Sequence, residues 1–355
     1  MVAIDTNPLK RSTNLNATGF VKYGGALLAL AIVSACALPP TPSAGVSNTY
    51  SYVGKTLSVD GRLVTAARPP SLLPGYQKFL PDLHKKSKDY EYVINDYGSY
   101  ASIFDYPKST SQIGKIEGAG GQGCTNVLYG YGKKIIWNVG GPDQITEYSV
   151  PQTPIRTLSV NYSFPSSCAM DAGGDLAVGI LDNYSGSGSG GGDVVIFKNA
   201  TGKGVAYTTP LDEEFFDGYD PKGNLFADGF TGDRSGFALV ELPEGSSKFV
   251  TITTSNSVQF PGSVQWDGTY LTVFDQYANQ TYRYTVSGTT ATLKGTVTYS
   301  GASDCAQTWI VKGLLYCGDA DNGDGEVFKY PAGGSIFATF TGSFDFPLGM
   351  TASEK

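Results

Sequence analysis

A chain of 355 residues with 46 glycines, 23 tyrosines, 3 methionines and only 16% charged residues describes many short strands joined by tight turns, not a helical body. Its formal charge of -7 excludes nucleic acid as a partner, because phosphate binding needs a basic stripe that the sequence lacks. Such a length ordinarily implies two or three domains, unless repeats add units to one body.

In chain order, Lys10, Arg11 and Lys22 precede the uncharged run "GGALLALAIVSA" at residues 24–35. The run has the length of a signal-peptide core and is too short to cross a bilayer comfortably. It leads into Cys36, with Val33 three places upstream, and "VSAC" resembles the lipobox of bacterial lipoproteins. The resemblance implies that residues 1–35 are a lipoprotein signal peptide and that Cys36 is the lipid attachment site. The expected location is extracytoplasmic, at a bacterial cell envelope, with the membrane reached through that lipid. Ordinary cleavage beside a chance cysteine is the alternative. Without residues 1–35 the remainder carries a charge of about -9, since Lys10, Arg11, Lys22 and Asp5 leave with them. Residues 36–89 read as a Pro/Ser-rich tether, "ALPPTPSAGVSNT", followed by "YVGKTLSVDGRLV", which suits a hairpin, and by irregular chain.

From Tyr90 a phrase recurs: an Asp- or Gly-containing turn, an apolar strand ending in Asn or Asp, then a strand of the form I/V-x-x-Y. The turn and strand appear as "YGYGKKIIWN", "DAGGDLAVGILD", "DPKGNLFAD", "WDGTYLTVFD" and "VKGLLYCGD". A period of about 42 to 50 residues with four short strands per unit is the signature of propeller blades. Residues 90–355 are therefore expected to form an all-β, six-bladed β-propeller, with units starting near Cys124, Cys168, Asp217, Gly262 and Cys305. The sixth unit opens on "YEYVIND" without a first strand, and "FPLGMTAS" near the C-terminus supplies it, closing the ring with no exposed edge. A seventh blade drawn from residues 50–89 is the alternative.

The phrase resembles NHL-type repeats, and residues 90–355 resemble the six-bladed superfamily that includes gluconolactonase and regucalcin-type lactonases. They are similar also to secreted bacterial propeller lipoproteins of no settled activity. "DPKGNLFAD" at residues 220–228 carries the resemblance and is nearly silent about chemistry. The resemblance implies a monomeric binding or interaction module for a small molecule or an envelope protein. Its alternative is a divalent-metal-dependent lactonase or esterase.

The candidate ligand-binding residues are the strand ends Asp96, Asn138, Asp182, Asp228, Asp275 and Asp319, one polar group per unit around a channel mouth. Such a rim suits a cation or a polyhydroxyl ligand, whereas turn capping by Asp and Asn is the plain alternative. His84 is the single histidine and precedes the repeats, which excludes histidine-dyad hydrolysis and multi-histidine metal sites within them. "SGSGSGGG" at residues 185–192 has neither the lysine nor the following helix of a phosphate cradle. The resembled lactonases hold their metal with Glu, Asn and Asp from different inner strands. Here the strand starts carry Cys124, Cys168, Asp217 and Cys305, and no glutamate is apparent among them. Calcium is the one cation considered, at "DADNGDGE", residues 319–326, although Gly323 replaces the fifth ligand and favours an acidic turn. No catalytic residue, metal ligand or cofactor is assigned.

With Cys36 lipidated, Cys124, Cys168, Cys305 and Cys317 have three possible pairings, or remain as buried thiols. Cys124 with Cys168 joins neighbouring units, and Cys305 with Cys317 spans one hairpin. The hairpin pair requires a turn centred on Val311; a Lys312-Gly313 turn puts the two out of register.

Overall fold

The computed structural model describes residues 49–52, 55–58, 63–66, 89–95, 100–117, 122–124, 135–139, 143–149, 153–160, 165–181, 191–231, 236–342, 344 and 346–354. Cys36, His84, Asp96 and Asp182 lie outside them. The described elements are strands, apart from one 3-10 turn at Lys198–Ala200. No helix among the described residues is long and apolar enough to cross a membrane.

Strands β1 (Thr49–Tyr52), β2 (Lys55–Ser58) and β3 (Leu63–Ala66) pair antiparallel in a sheet of their own. The expected hairpin is thus β2 and β3, and β1 is an added strand.

The other strands fall into four-stranded antiparallel meanders. Five are in chain order. The first is β7 (Gly123–Cys124), β8 (Ile135–Asn138), β9 (Gln144–Ser149) and β10 (Thr153–Ser159). The second is β11 (Pro165–Met170), β12 (Leu176–Ile180), β13 (Asp193–Phe197) and β14 (Val205–Thr208). Next come β15 (Glu213–Tyr219), β16 (Leu225–Thr231), β17 (Gly236–Leu242) and β18 (Val250–Thr254). They are followed by β19 (Val264–Trp266), β20 (Leu271–Asp275), β21 (Gln280–Ser287) and β22 (Thr290–Ser300). The fifth joins β23 (Cys305–Val311), β24 (Leu314–Asp319), β25 (Asp324–Lys329) and β27 (Ala338–Phe340), while β26 (Gly334–Ser335) pairs with β22. The sixth, β4 (Asp89–Asn95), β5 (Tyr100–Phe104) and β6 (Gln112–Glu117), takes its first strand from β28 (Pro347–Glu354), with Met350 opposite Val93.

Hydrophobic patterning explains the layering. The second strands β12 and β20, "LAVGI" and "LTVFD", are buried at every position, because the sheets cover them on both faces. The fourth strand β22 lies at the rim and shows period-two burial, with Ala291, Val297 and Tyr299 inside. Tyr148 and Tyr284 are buried. Tyr106 of the sixth meander packs edge-on against Tyr316 and Phe340 of the fifth, at ring separations of 6.1 and 5.4 Å. Flat rings of this kind fill the wedge between splayed sheets.

The first strands neighbour one another in a cycle. β28 contacts β7, β7 contacts β11, β11 contacts β15, β15 contacts β19, and β23 contacts β28. β19 is joined to β23 by Gln265, whose side chain accepts from the Ile310 amide (2.7 Å) and donates to its carbonyl (2.8 Å). Gln307 of β23 reaches Gly123 of β7, accepting from its amide at 3.0 Å and donating to its carbonyl at 2.6 Å. The result is a near-closed, barrel-like inner wall.

Two disulfides staple it. Cys124–Cys168 joins β7 to β11, and Cys305–Cys317 joins β23 to β24, each with Cα atoms 5.6 Å apart. The hairpin turn is Lys312-Gly313, with φ of 51° and 75°. The two cysteines nevertheless meet, because β23 bulges between Cys305 and Thr308 and moves Cys305 beside Cys317.

Candidate functional site

The acidic strand ends do not behave alike. Asp275 accepts from the amides of Gln259 (2.7 Å), Phe260 (3.3 Å), Tyr277 and Ala278 (both 3.1 Å). Asp319 accepts from the amides of Ser303 (2.6 Å), Asp304 (3.2 Å) and Asn322 (3.0 Å). Asn138 donates to the Gln122 carbonyl at 2.9 Å. These three brace the chain that enters their own first strand. The turn after Asp319 closes on Asn322, whose side-chain amide donates to Asp319, Glu326 and the Gly301 carbonyl at 3.0 to 3.2 Å.

Asp228 is different, and strand parity is the reason. It alternates with Phe226 and Phe230 on the face of β16 that packs against the fourth meander, whereas Asp275 alternates with Leu271 and Val273 on the face of β20 that packs back against the third. One residue of offset turns a strand side chain to the opposite face. Asp228 reaches into the next meander, where its Oδ2 accepts from the Gly262 amide at 3.1 Å, while its buried Oδ1 closes no hydrogen bond of good geometry, the Phe216 amide of its own sheet lying nearby. The register equivalent of Asp228 in β12 is Gly179, three residues past Leu176.

That glycine makes room for a carboxyl. A Cβ on Gly179 would lie 2.1 Å from Oε2 of Glu214 and 2.4 Å from Oγ of Ser167. Glu214, the second residue of β15, is fully buried and accepts from Ser166 (2.6 Å) and Ser167 (3.2 Å) of β11. Glu214 corrects the expectation that no glutamate marks a first-strand start; its signal is the "EEFFDGY" of β15, where two acids precede a buried aromatic pair. Asp217, three residues on, is 5% exposed, and neither of its Oδ atoms closes a hydrogen bond of good geometry, although the Ser167 hydroxyl and the Gly179 amide lie near enough to act on it.

Glu214 and Asp217 therefore share a buried corner with β11 and β12, whereas Asp228, at the same end of the sheet, faces the entry to β19; the three charges still act on one another. Burial, the Asp217 charge and the Asp228 charge hold Glu214 well above the carboxylate range against the two serine hydrogen bonds. Burial lifts Asp217 to about 7, with Ser167 and the Gly179 amide opposing the rise. Asp228 is raised by burial too; the Gly262 and Phe216 amides offset part of it, and the Asp217 and Asp275 charges add to it. Near neutral pH the corner holds protons as well as lone pairs. With the two serine hydroxyls it both donates and accepts, a set that matches alcohols better than a bare cation. No ion pair with any of the three acids occurs among the described residues.

Comparison with known proteins bears on fold alone. No protein-family model matches the chain, and no curated protein matches it. Among solved structures, a chain of a nidogen/laminin complex superposes with a TM-score of 0.57 at 13% identity, covering 75% of this chain and 98% of that one. A functionally unknown protein from Desulfotomaculum acetoxidans gives a TM-score of 0.48 at 12% identity, over 75% of this chain and 89% of its own. The first likeness, with the cyclic first strands, shows an all-β, β-propeller-like fold.

Proposed function

We propose that this chain is a lipid-anchored, extracytoplasmic ligand-binding module on a six-bladed, NHL-like propeller, with the corner of Glu214 and Asp217 against β11 and β12 as its site. The ligand class is a small polyhydroxyl compound. One observation carries the reading: both buried oxygens of Asp217 lack a hydrogen bond of good geometry, the Ser167 hydroxyl and Gly179 amide only biasing its titration, beside a carboxyl that two serines already satisfy. Unpaired buried acceptors cost about 1–3 kcal/mol each, and a hydroxyl-bearing ligand relieves that cost. Of the expected rim, Asp96 and Asp182 lie outside the described residues, and Asn138, Asp275 and Asp319 brace the chain entering their own first strands.

The test is calorimetric titration of the full chain with a panel of sugars and polyols. Binding that weakens at least tenfold in D217N, with the circular-dichroism spectrum of the folded chain retained, supports the reading. A panel that gives no heat with the parent protein overturns it.

A second reading, a divalent-metal-dependent lactonase, is favoured by Glu214 at a first-strand start. Its ligand set does not fit: the resembled enzymes draw Glu, Asn and Asp from different inner strands, whereas Glu214, Asp217 and Asp228 come from β15 and β16 of one meander. In the disulfide-bonded chain, where the Cys305 and Cys317 sulfurs are not free to bind metal, calcium or zinc is accordingly expected to leave the melting temperature unchanged, and a chelator likewise. A rise of several degrees with either metal would move the assignment to the enzyme.

A further inference from the structure

We propose that Cys305, Cys317, Asp319 and Glu326 form a zinc-type cation site in the reduced chain, so that a metal ion and the disulfide are alternative states of one sulfur pair. The four residues form a rectangle on one face of a three-stranded sheet. Cys305 of β23 stands opposite Asp319 of β24, and Cys317 of β24 stands opposite Glu326 of β25. Cys317 and Asp319 are two residues apart, so strand alternation puts them on the same face. One donor atom from each residue falls within 4.8 Å of the others. Two sulfurs and two carboxylate oxygens make a four-donor set of the kind that tetrahedral zinc accepts.

The independent sign of a missing ligand is Glu326. It is 1% exposed, one oxygen accepts from Asn322 at 3.0 Å, and Oε2 has no partner. Phe274, Tyr299 and Phe328 pack in one apolar cluster with Cys305 and Cys317, so the two sulfurs of the set are buried beside that carboxyl. Asn322 also donates to Asp319 at 3.2 Å, which holds both carboxyls in place from outside the donor set.

The chemistry balances as follows. Opening the bridge adds two electrons and two protons to the sulfurs, supplied by a dithiol that is itself oxidised to its disulfide. Binding of the divalent cation then expels the two thiol protons to solvent, leaving thiolates as ligands. Either oxidation or metal can hold β23 against β24, but not both at once.

The test uses the full chain carrying C36A, C124A and C168A, so that Cys305 and Cys317 are the two cysteines left, with cobalt(II) as the probe. In the dithiol-reduced protein, one equivalent of cobalt is expected to give tetrahedral d–d bands and thiolate charge-transfer absorbance, and zinc to bleach them. The oxidised protein should give neither. E326Q should weaken cobalt at least tenfold, and zinc should slow reoxidation of the pair. If C36A/C124A/C168A does not fold, the parent chain is compared with its C305A/C317A variant, and the cobalt spectrum must vanish in the latter. Absence of the spectrum in a reduced, folded chain, or an E326Q affinity within twofold of the parent, would overturn the proposal.

Discussion

Protons held at Asp217 tie the stability of the fold to pH. Burial raises this group to about 7 in the native state, against about 3.9 in an unfolded chain, so the folded protein holds a proton that the unfolded chain releases. That contribution is complete below about pH 4 and is lost as pH rises through the native value near 7. The melting temperature is therefore expected to fall between pH 5 and pH 8, and D217N, which stays neutral, to flatten the fall, an effect on the order of a few kcal/mol. Equal slopes for the parent and D217N would locate the dependence elsewhere. Asp267 has the opposite sign. Burial pushes it up, but hydrogen bonds from Tyr330, Arg283 and the amides of Tyr270 and Thr269 outweigh that and hold it below the ordinary carboxylate value. Its contribution is present above pH 4 and is lost as pH falls through the lowered native value, so D267N should remove part of the acid limb of a stability curve. Asp228 was legible as a repeated strand end. Glu214 was not, because its partners Ser166 and Ser167 lie 48 and 47 residues upstream and only meet it across two meanders.

Between elements, the close approach of first strands sets the cost of substitution. A Cβ on Gly218 of β15 would sit 2.3 Å from the Val264 carbonyl of β19, and backbone on the far side cannot yield as a side chain can. G218A is expected to cost about 1–3 kcal/mol through overpacking, read as a lower denaturant midpoint. The Cys124–Cys168 bridge closes a separation of 44 residues between β7 and β11. Loop closure of that size is worth about 3–4.7 kcal/mol, so C124S/C168S should lower the melting temperature markedly, and a shift of a degree or two would show that the first strands hold without it. At this scale the turns, the second strands and the starts of the meanders were legible from period and turn residues. The bulge in β23 was not: two-residue turn geometry predicts misaligned cysteines, and the extra residue that realigns them is paired only in the assembled sheet. Strand parity was missed for the same reason, since Asp228 and Asp275 look equivalent until the packing of the alternating apolar residues shows which neighbouring meander each faces.

For the whole molecule, β28 is the closing piece, lying between β23 and β4. Removing residues 347–354 would bare the ladders of both neighbours, and unpaired inner edges invite association. The truncated chain is expected to unfold less cooperatively, with a smaller denaturant slope, and to aggregate at concentrations the parent tolerates; a parent-like slope would mean the wall is held without β28. The repeated phrase, the alternation of apolar residues, the acidic charge and the missing first strand before "YEYVIND" determined an all-β, repeat-built chain whose ends meet, because period and pattern are local properties that any copy of the sequence carries. Only the tertiary structure decided which acids are braces and which gather with unpaired oxygens, and which sulfurs lie beside Glu326. Those outcomes depend on register, parity and the absence of a side chain at Gly179, which place residues from separate strands within hydrogen-bond reach.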